Sequence, residues 1–204
     1  MFPCVFQKPA TFAGVLVGLL LSFSAQAEPA VTARRVGKQI IFTAGDHEIV
    51  RYQAEPGEFP RPGIKEAFRR GGYLHPIQTP SGRVITDDFP SNHIHHHGIW
   101  MPWTKTEFEG RAPDFWNMGD GKGRVEFVSA EPVWEKDGSA GFTAKHQFVD
   151  LTVQPPKVAL NETWEIAVSA ASGASPRYLI DFTSTQTCAT DSPLQLPKLS
   201  LIHI

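Results

Sequence analysis

The sequence predicts an all-β protein, an antiparallel β-sandwich, on three observations. Segments rich in β-branched and aromatic residues alternate polar with apolar, as in Thr143-Ala144-Lys145-His146-Gln147-Phe148-Val149 and Thr163-Trp164-Glu165-Ile166-Ala167-Val168. Breakers rich in Gly, Pro and Asp stand between them. No stretch carries the apolar period of an amphipathic helix over about ten residues.

The elements follow in chain order. Lys8, an almost wholly apolar Phe12 to Phe23 and Ala25-Gln26-Ala27 before Glu28 form the pattern of a secretory signal peptide over residues 1–27. That apolar run is shorter than the roughly 18 residues of a spanning helix, and no cysteine stands at the cleavage point for lipidation. No later segment is long and apolar enough to span, so a periplasmic or secreted protein without a membrane span after signal cleavage is expected. Residues 28–198, in a chain 41% hydrophobic, suit one globular domain. A net charge of −2 gives no reason to expect nucleic acid or anionic lipid as a partner. Cys4 leaves with the signal and only Cys188 remains, so stability must come from a core and not from an intramolecular disulfide.

Lys38 to Phe42 and Glu48 to Tyr52 read as paired strands around Ala44-Gly45-Asp46. The Pro- and Gly-rich Pro56 to Gly63 breaks regular structure, and Ile64 to Arg70 reads as a short helical turn or a loop. Gly71 to Ile77 reads as a strand ending at a proline, Thr79-Pro80-Ser81-Gly82 as a tight turn, Arg83 to Thr86 as a short strand and Asp87-Asp88-Phe89-Pro90 as another turn. Further strands are expected at Arg124 to Val128, Phe142 to Val149, Val158 to Ala170 and Tyr178 to Ser184, with Asp137-Gly138 as a hairpin signal and Trp134 and Trp164 in the core.

Chemistry concentrates between Gly71 and Asn117. Five of the eight histidines lie between His75 and His97, and three of the five tryptophans follow at Trp100, Trp103 and Trp116. If Asn92 to His97 is extended, His93, His95 and His97 share one face and His96 takes the other. The intervening turns would bring His75 to the same place, since hairpin arms lie about 5 Å apart. Three chemistries follow. His93, His95 and His97 would ligate one divalent transition metal. His75, His95 and His97, with Asp88 fixing a tautomer, would serve as general acid and base. The same imidazoles would bond substrate hydroxyls. Against all three stands a structural cluster that caps turns or packs beneath the indoles, and Asp88 before Phe89-Pro90 reads first as a turn cap. His95-x-His97 matches the first cupin metal motif, but Trp100, Met101 and Pro102 stand where a cupin needs a glutamate.

Trp100, Trp103 and Trp116 lie beside Asp114 and Asn117 in segments too rich in Pro and Gly for simple strands. Flat apolar faces next to hydrogen-bonding groups suit sugar rings. Arg83 and Arg111 are candidates to clamp an acidic group. The expected partner is a carbohydrate or another small molecule, with a mononuclear copper or iron oxygenase-like enzyme and a non-catalytic sugar-binding module as alternatives.

The run Gly71-Gly-Tyr-Leu-His-Pro-Ile, Thr79-Pro-Ser-Gly, Thr86-Asp-Asp-Phe-Pro, His95-His-His-Gly98 and Asp114-Phe-Trp-Asn117 resembles a bacterial exported family labelled methane oxygenase PmoA-like. The methane monooxygenase subunit of that name spans the membrane several times, and nothing here after the signal does. The resemblance implies a secreted β-sandwich protein of polysaccharide-degrading bacteria. It also admits a relation to the galactose-mutarotase supersandwich, where paired histidines and a carboxylate do acid/base work on a sugar. Members of the family are longer and carry a further segment bearing His and Trp. Leu199 to Ile204 is what a transposon end used as a sequencing adapter encodes, so residues 199–204 are expected to be an artefact and the sandwich to be incomplete at its C-terminus.

Overall fold

The computed structural model describes residues 29–171 and 176–198. The signal-peptide and adapter readings, on residues 1–27 and 199–204, lie outside them. The described residues form two antiparallel sheets, and neither closes into a barrel. The first is a meander of β1 (Val31–Val36), β2 (Gln39–Ala44), β3 (His47–Gln53) and β4 (Tyr73–Ile77), in that order. The second has the order β5 (Gly123–Ala130), β7 (Ser139–Asp150), β8 (Lys157–Ala170), β9 (Tyr178–Cys188), with β6 (Trp134–Lys136) also paired to β7. Helix is limited to two 3-10 turns among the described residues, Glu66–Phe68 and Met118–Asp120. No helix there is long and apolar enough to cross a membrane.

Most of the expected strands are present. The expected first pair is β2 and β3, joined through Gly45 at φ +58°, and β1 adds a strand beyond it. Asp137 and Gly138, both at positive φ, close the β6–β7 hairpin, where Lys136 faces Ser139. Arg83 to Thr86 forms no strand. Only Val84 bridges to Gln78, and with Val84 and Ile85 largely exposed there is no core face for the segment to cover. Trp134 also departs from expectation: it is 43% exposed, with its ring lying on Gly141 at the outer side of the hairpin. Trp164 is buried as expected.

Alternation places one face of each sheet in a shared core. Ile40, Phe42, Val50, Tyr52 and Leu74 from the first sheet meet Phe142, Ala144, Trp164, Ile166 and Val168 from the second. A smaller cluster of Phe108, Phe115, Val125, Phe148 and Leu160 fills one end, with Trp103 packed against it.

Residues 78–122, between β4 and β5, carry almost all the candidate chemistry. This excursion extends the first sheet by a short ladder. Leu74 bridges Ile99, Asp88 bridges His97, and the amide of Gly98 donates to the carbonyl of Asp87 at 2.9 Å. Gly98 is what permits the crossing, because a Cβ there would sit 1.9 Å from the backbone carbonyl oxygen of Leu74. That atom belongs to a paired strand and cannot yield. Gly98→Ala is therefore expected to displace His97 and lower stability by about 2 kcal/mol or more, read from its denaturant midpoint. A midpoint within experimental error of the unaltered chain would show that the ladder gives way more easily than its geometry implies.

Candidate functional site

The ladder sets His97 beside Asp88. Nδ1 of His97 is 2.6 Å from Oδ1 of Asp88, and the Tyr73 hydroxyl donates to Oδ2 of the same carboxylate at 3.0 Å. Tyr73, Asp88 and His97 come from three adjacent backbone segments, so the fold fixes the geometry without long side chains. A carboxylate accepts, so Nδ1 carries the proton and Nε2 keeps its lone pair. Nε2 is buried and has no hydrogen-bond partner among the described residues. The ring is 1% exposed beneath Tyr73, Phe89 and Trp100, with centroids 4.7, 4.5 and 5.7 Å away. Burial pushes the imidazole pKa down to about 4, against the bond to Asp88, so it is neutral near pH 7. Asp88 is thus more than a turn cap.

The remaining imidazoles of the run are arranged otherwise than an extended segment would arrange them. The amide of His93 donates to the Pro90 carbonyl and that of His96 to the His93 carbonyl, so the chain turns twice before reaching His97. Pro90 and the hydrogen bonding of these turns replace strand alternation. His93, His95 and His96 therefore share the surface while His97 points inward. Centroids are 4.5 Å apart for His95 and His96, 4.9 Å for His93 and His96 and 6.2 Å for His93 and His95. Trp116 and Trp100 adjoin His96 at 5.9 and 6.4 Å and lie 5.9 Å from each other. Burial and the neighbouring imidazoles hold His95 and His96 below the ordinary histidine pKa. Trp100 touches both groups, the surface rings and His97.

The expected convergence of His93, His95 and His97 does not occur. His97 is buried while His93 and His95 lie at the surface, and no group of three His, Cys, Asp or Glu side chains among the described residues could hold a metal ion. The donor set does not fit a divalent transition metal.

The other candidates separate. His75 is half-buried with Nδ1 2.9 Å from the Thr86 hydroxyl, and no ring contact joins it to the other imidazoles among the described residues. Trp103 turns to the smaller core, where its indole N–H donates to Gln186 at 2.8 Å. Asp114 accepts from the backbone amides of Trp116 and Asn117 and from the Thr104 hydroxyl and the Asn117 amide, which fixes the loop that carries Trp116. Burial would raise its pKa, but these hydrogen bonds outweigh it and hold the carboxyl below its ordinary value. Arg83 is exposed in the Thr79 to Arg83 turn, and Arg111 pairs with Glu109 and Asp150.

A second polar group sits between the sheets, and nothing in the sequence reading singled it out. The Tyr52 hydroxyl and Nε2 of His146 are 2.7 Å apart, and Nδ1 of His146 is 3.5 Å from Oε2 of Glu162. Oε1 of Glu162 accepts from Ser184 at 2.6 Å and Gln186 at 2.8 Å, and Gln186 accepts from Trp103. His146 faces Glu162 across β7 and β8, and Glu162 faces Gln186 across β8 and β9, so one row of cross-strand partners builds the chain. Burial lowers the His146 pKa to about 3, with the charge of Arg70 adding to it. The signal was legible: His146 between Ala144 and Phe148, and Glu162 between Leu160 and Trp164, occupy inward positions of their alternating strands.

No curated protein and no solved structure matches the chain. Among protein families, residues 39–199 match the one described as Family of unknown function (DUF6807), a span holding every strand from β2 onward and all the residues of the site. The chain belongs to that family.

Proposed function

We propose that this is an exported carbohydrate-active protein in which Trp100 and Trp116, with His93, His95 and His96, receive a sugar, and the Asp88–His97 pair supplies acid/base chemistry. One observation carries the reading. Half-buried indoles and the surface imidazoles form a continuous aromatic surface in contact, through Trp100, with a histidine whose tautomer a carboxylate fixes. Indole faces stack on the C–H faces of sugar rings, and imidazole nitrogens bond their hydroxyls. A ligand that lies on Trp116 and moves Trp100 aside reaches Nε2 of His97, which then accepts a proton. Export and the PmoA-like resemblance belong to the same reading. The oxygenase alternative lacks a fitting donor set.

Full-length protein tests this directly on poly- and oligosaccharides. Trp116→Ala is expected to weaken saccharide binding about tenfold, a loss of about 1.4 kcal/mol. His97→Ala with His95→Ala is expected to lower turnover by about 10²-fold or more while leaving Trp116-dependent binding in place. Turnover unchanged in the double variant sinks the catalytic part. A second reading, a sugar-binding module without catalysis, is favoured by the sealing of Nε2 beneath Trp100. It predicts binding without product in the unaltered protein.

A further inference from the structure

Of the five tryptophans only Trp134 is exposed, and it lies apart from the proposed sugar surface. It stands on β6 opposite Gly141 of β7, where a Cβ would run into its ring, so the indole lies against the sheet. Covering the glycine uses one side of the ring and leaves the residue 43% exposed. Phe142, Trp164, Ile166 and Phe182 pack into the core, so strand alternation sends Thr143, Glu165, Asp181 and Thr183 to the outer face of the second sheet. Glu165 lies opposite Thr143 and Thr183, and Asp181 lies opposite Ala167, which faces Gly141 in turn.

The indole, these two carboxylates and the two threonine hydroxyls line an open cleft of about 270 Å³. Glu165 and Asp181 are exposed, and neither forms an ion pair among the described residues. No cation lines the cleft, and Lys136 and Lys145 nearby on the same sheet pair with neither carboxylate. The cleft therefore carries uncompensated negative charge beside an aromatic ring, which complements a cation. Four neighbouring strands supply it, β6 to β9, so no loop has to be ordered on binding.

We propose that this cleft takes a protonated amino sugar, a glucosamine unit of a polysaccharide, whose C–H face stacks on Trp134 and whose ammonium pairs with Glu165 and Asp181. This rests on the carbohydrate reading for the ring and on the two carboxylates for the charge. An indole attracts both a sugar face and a cation, and the threonine hydroxyls supply bonds to the remaining hydroxyls of the ring. The site is separate from the loop surface of Trp100 and Trp116, so a long chain could engage both and gain from the linkage.

Calorimetric titration of the full-length protein at about pH 6.5, where an amine of ordinary pKa near 8 is protonated, tests this. The probes are a glucosamine hexasaccharide, its fully N-acetylated counterpart, cellohexaose and hexalysine. The expected result is about tenfold tighter binding of the glucosamine chain than of the acetylated chain or cellohexaose, a preference that weakens as salt screens the exposed charges. Trp116→Ala should leave that preference in place. Trp134→Ala should abolish it, and Glu165→Gln with Asp181→Asn should do the same while sparing the indole. All three positions are exposed, so the variants are expected to fold. A glucosamine chain bound no better than its acetylated counterpart, a preference that survives Trp134→Ala, or tighter binding of hexalysine overturns the inference. Neutral oligosaccharides that still bind through Trp116 would leave the carbohydrate reading standing. Binding of no saccharide of any kind would overturn both.

Discussion

Replacing Glu162 with alanine lowers the free energy of unfolding by about 3–5 kcal/mol, the expected result of removing one member of a buried polar group and stranding the others. Its side chain is fully buried and joins β8 to β9 through hydrogen bonds from Ser184 and Gln186, with Oε2 3.5 Å from Nδ1 of His146 on β7. Truncation leaves the Ser184 hydroxyl and the Gln186 amide without their acceptor and opens a void beside Trp164, which packs on His146 at 4.6 Å between centroids. An unsatisfied buried donor costs about 1–3 kcal/mol, and the interior cannot relax freely around the gap. Glu162→Gln keeps the volume and an acceptor oxygen, so a loss of about 1–2 kcal/mol is expected from it. Urea unfolding of both variants, with the m-value checked for constancy, measures this. An alanine variant within 1 kcal/mol of the unaltered chain would falsify the view that this group holds the second sheet together.

Stability also falls steeply as pH drops from about 6.5 to 4, because two imidazoles are buried in their neutral form. The folded pKa of His97 is about 4 and that of His146 about 3, against an ordinary value of 6.5. Both are depressed, so the unfolded chain takes up protons first. The contribution is fully present above pH 6.5 and is lost progressively as pH falls toward the folded values. At about 1.4 kcal/mol per unit, each site withdraws on the order of 3 kcal/mol by pH 4, a total comparable to the marginal stability of a small domain. Asp114, Asp150 and Glu109, whose pKa values are also depressed, add their loss at the acid end, so the window from 6.5 to 4.5 reports the histidines. Denaturant midpoints across that window, with imidazole proton resonances followed in parallel, test it. A midpoint flat between pH 6.5 and 4.5 would show that these imidazoles are solvated.

Asp88 and His96 show how the sequence and the fold divide the site. Clustering of histidine, tryptophan and carboxylate between Gly71 and Asn117 was visible in the sequence, since it needs only proximity along the chain. Which imidazole goes inward was not, because it depends on two turns after Pro90 that replace strand alternation with carbonyl acceptors nearby in sequence. The partner of Asp88 likewise depends on Gly98 lying against Leu74, a contact between segments more than twenty residues apart.

By itself the sequence determined the class of the fold and most of its strands. Period-two alternation with breakers is a local property, and it fixes which face of each strand is apolar before any strand meets another. It also marked the segment where polar chemistry gathers. Only the tertiary structure decided that Trp103 serves the core, that Trp134 lies outside, that Arg70 is a buried cation on Trp100, and that His146 and Glu162 face each other between the sheets. Those outcomes depend on register and on packing between distant segments, where the burial of a charge or a ring is set by its neighbours in space.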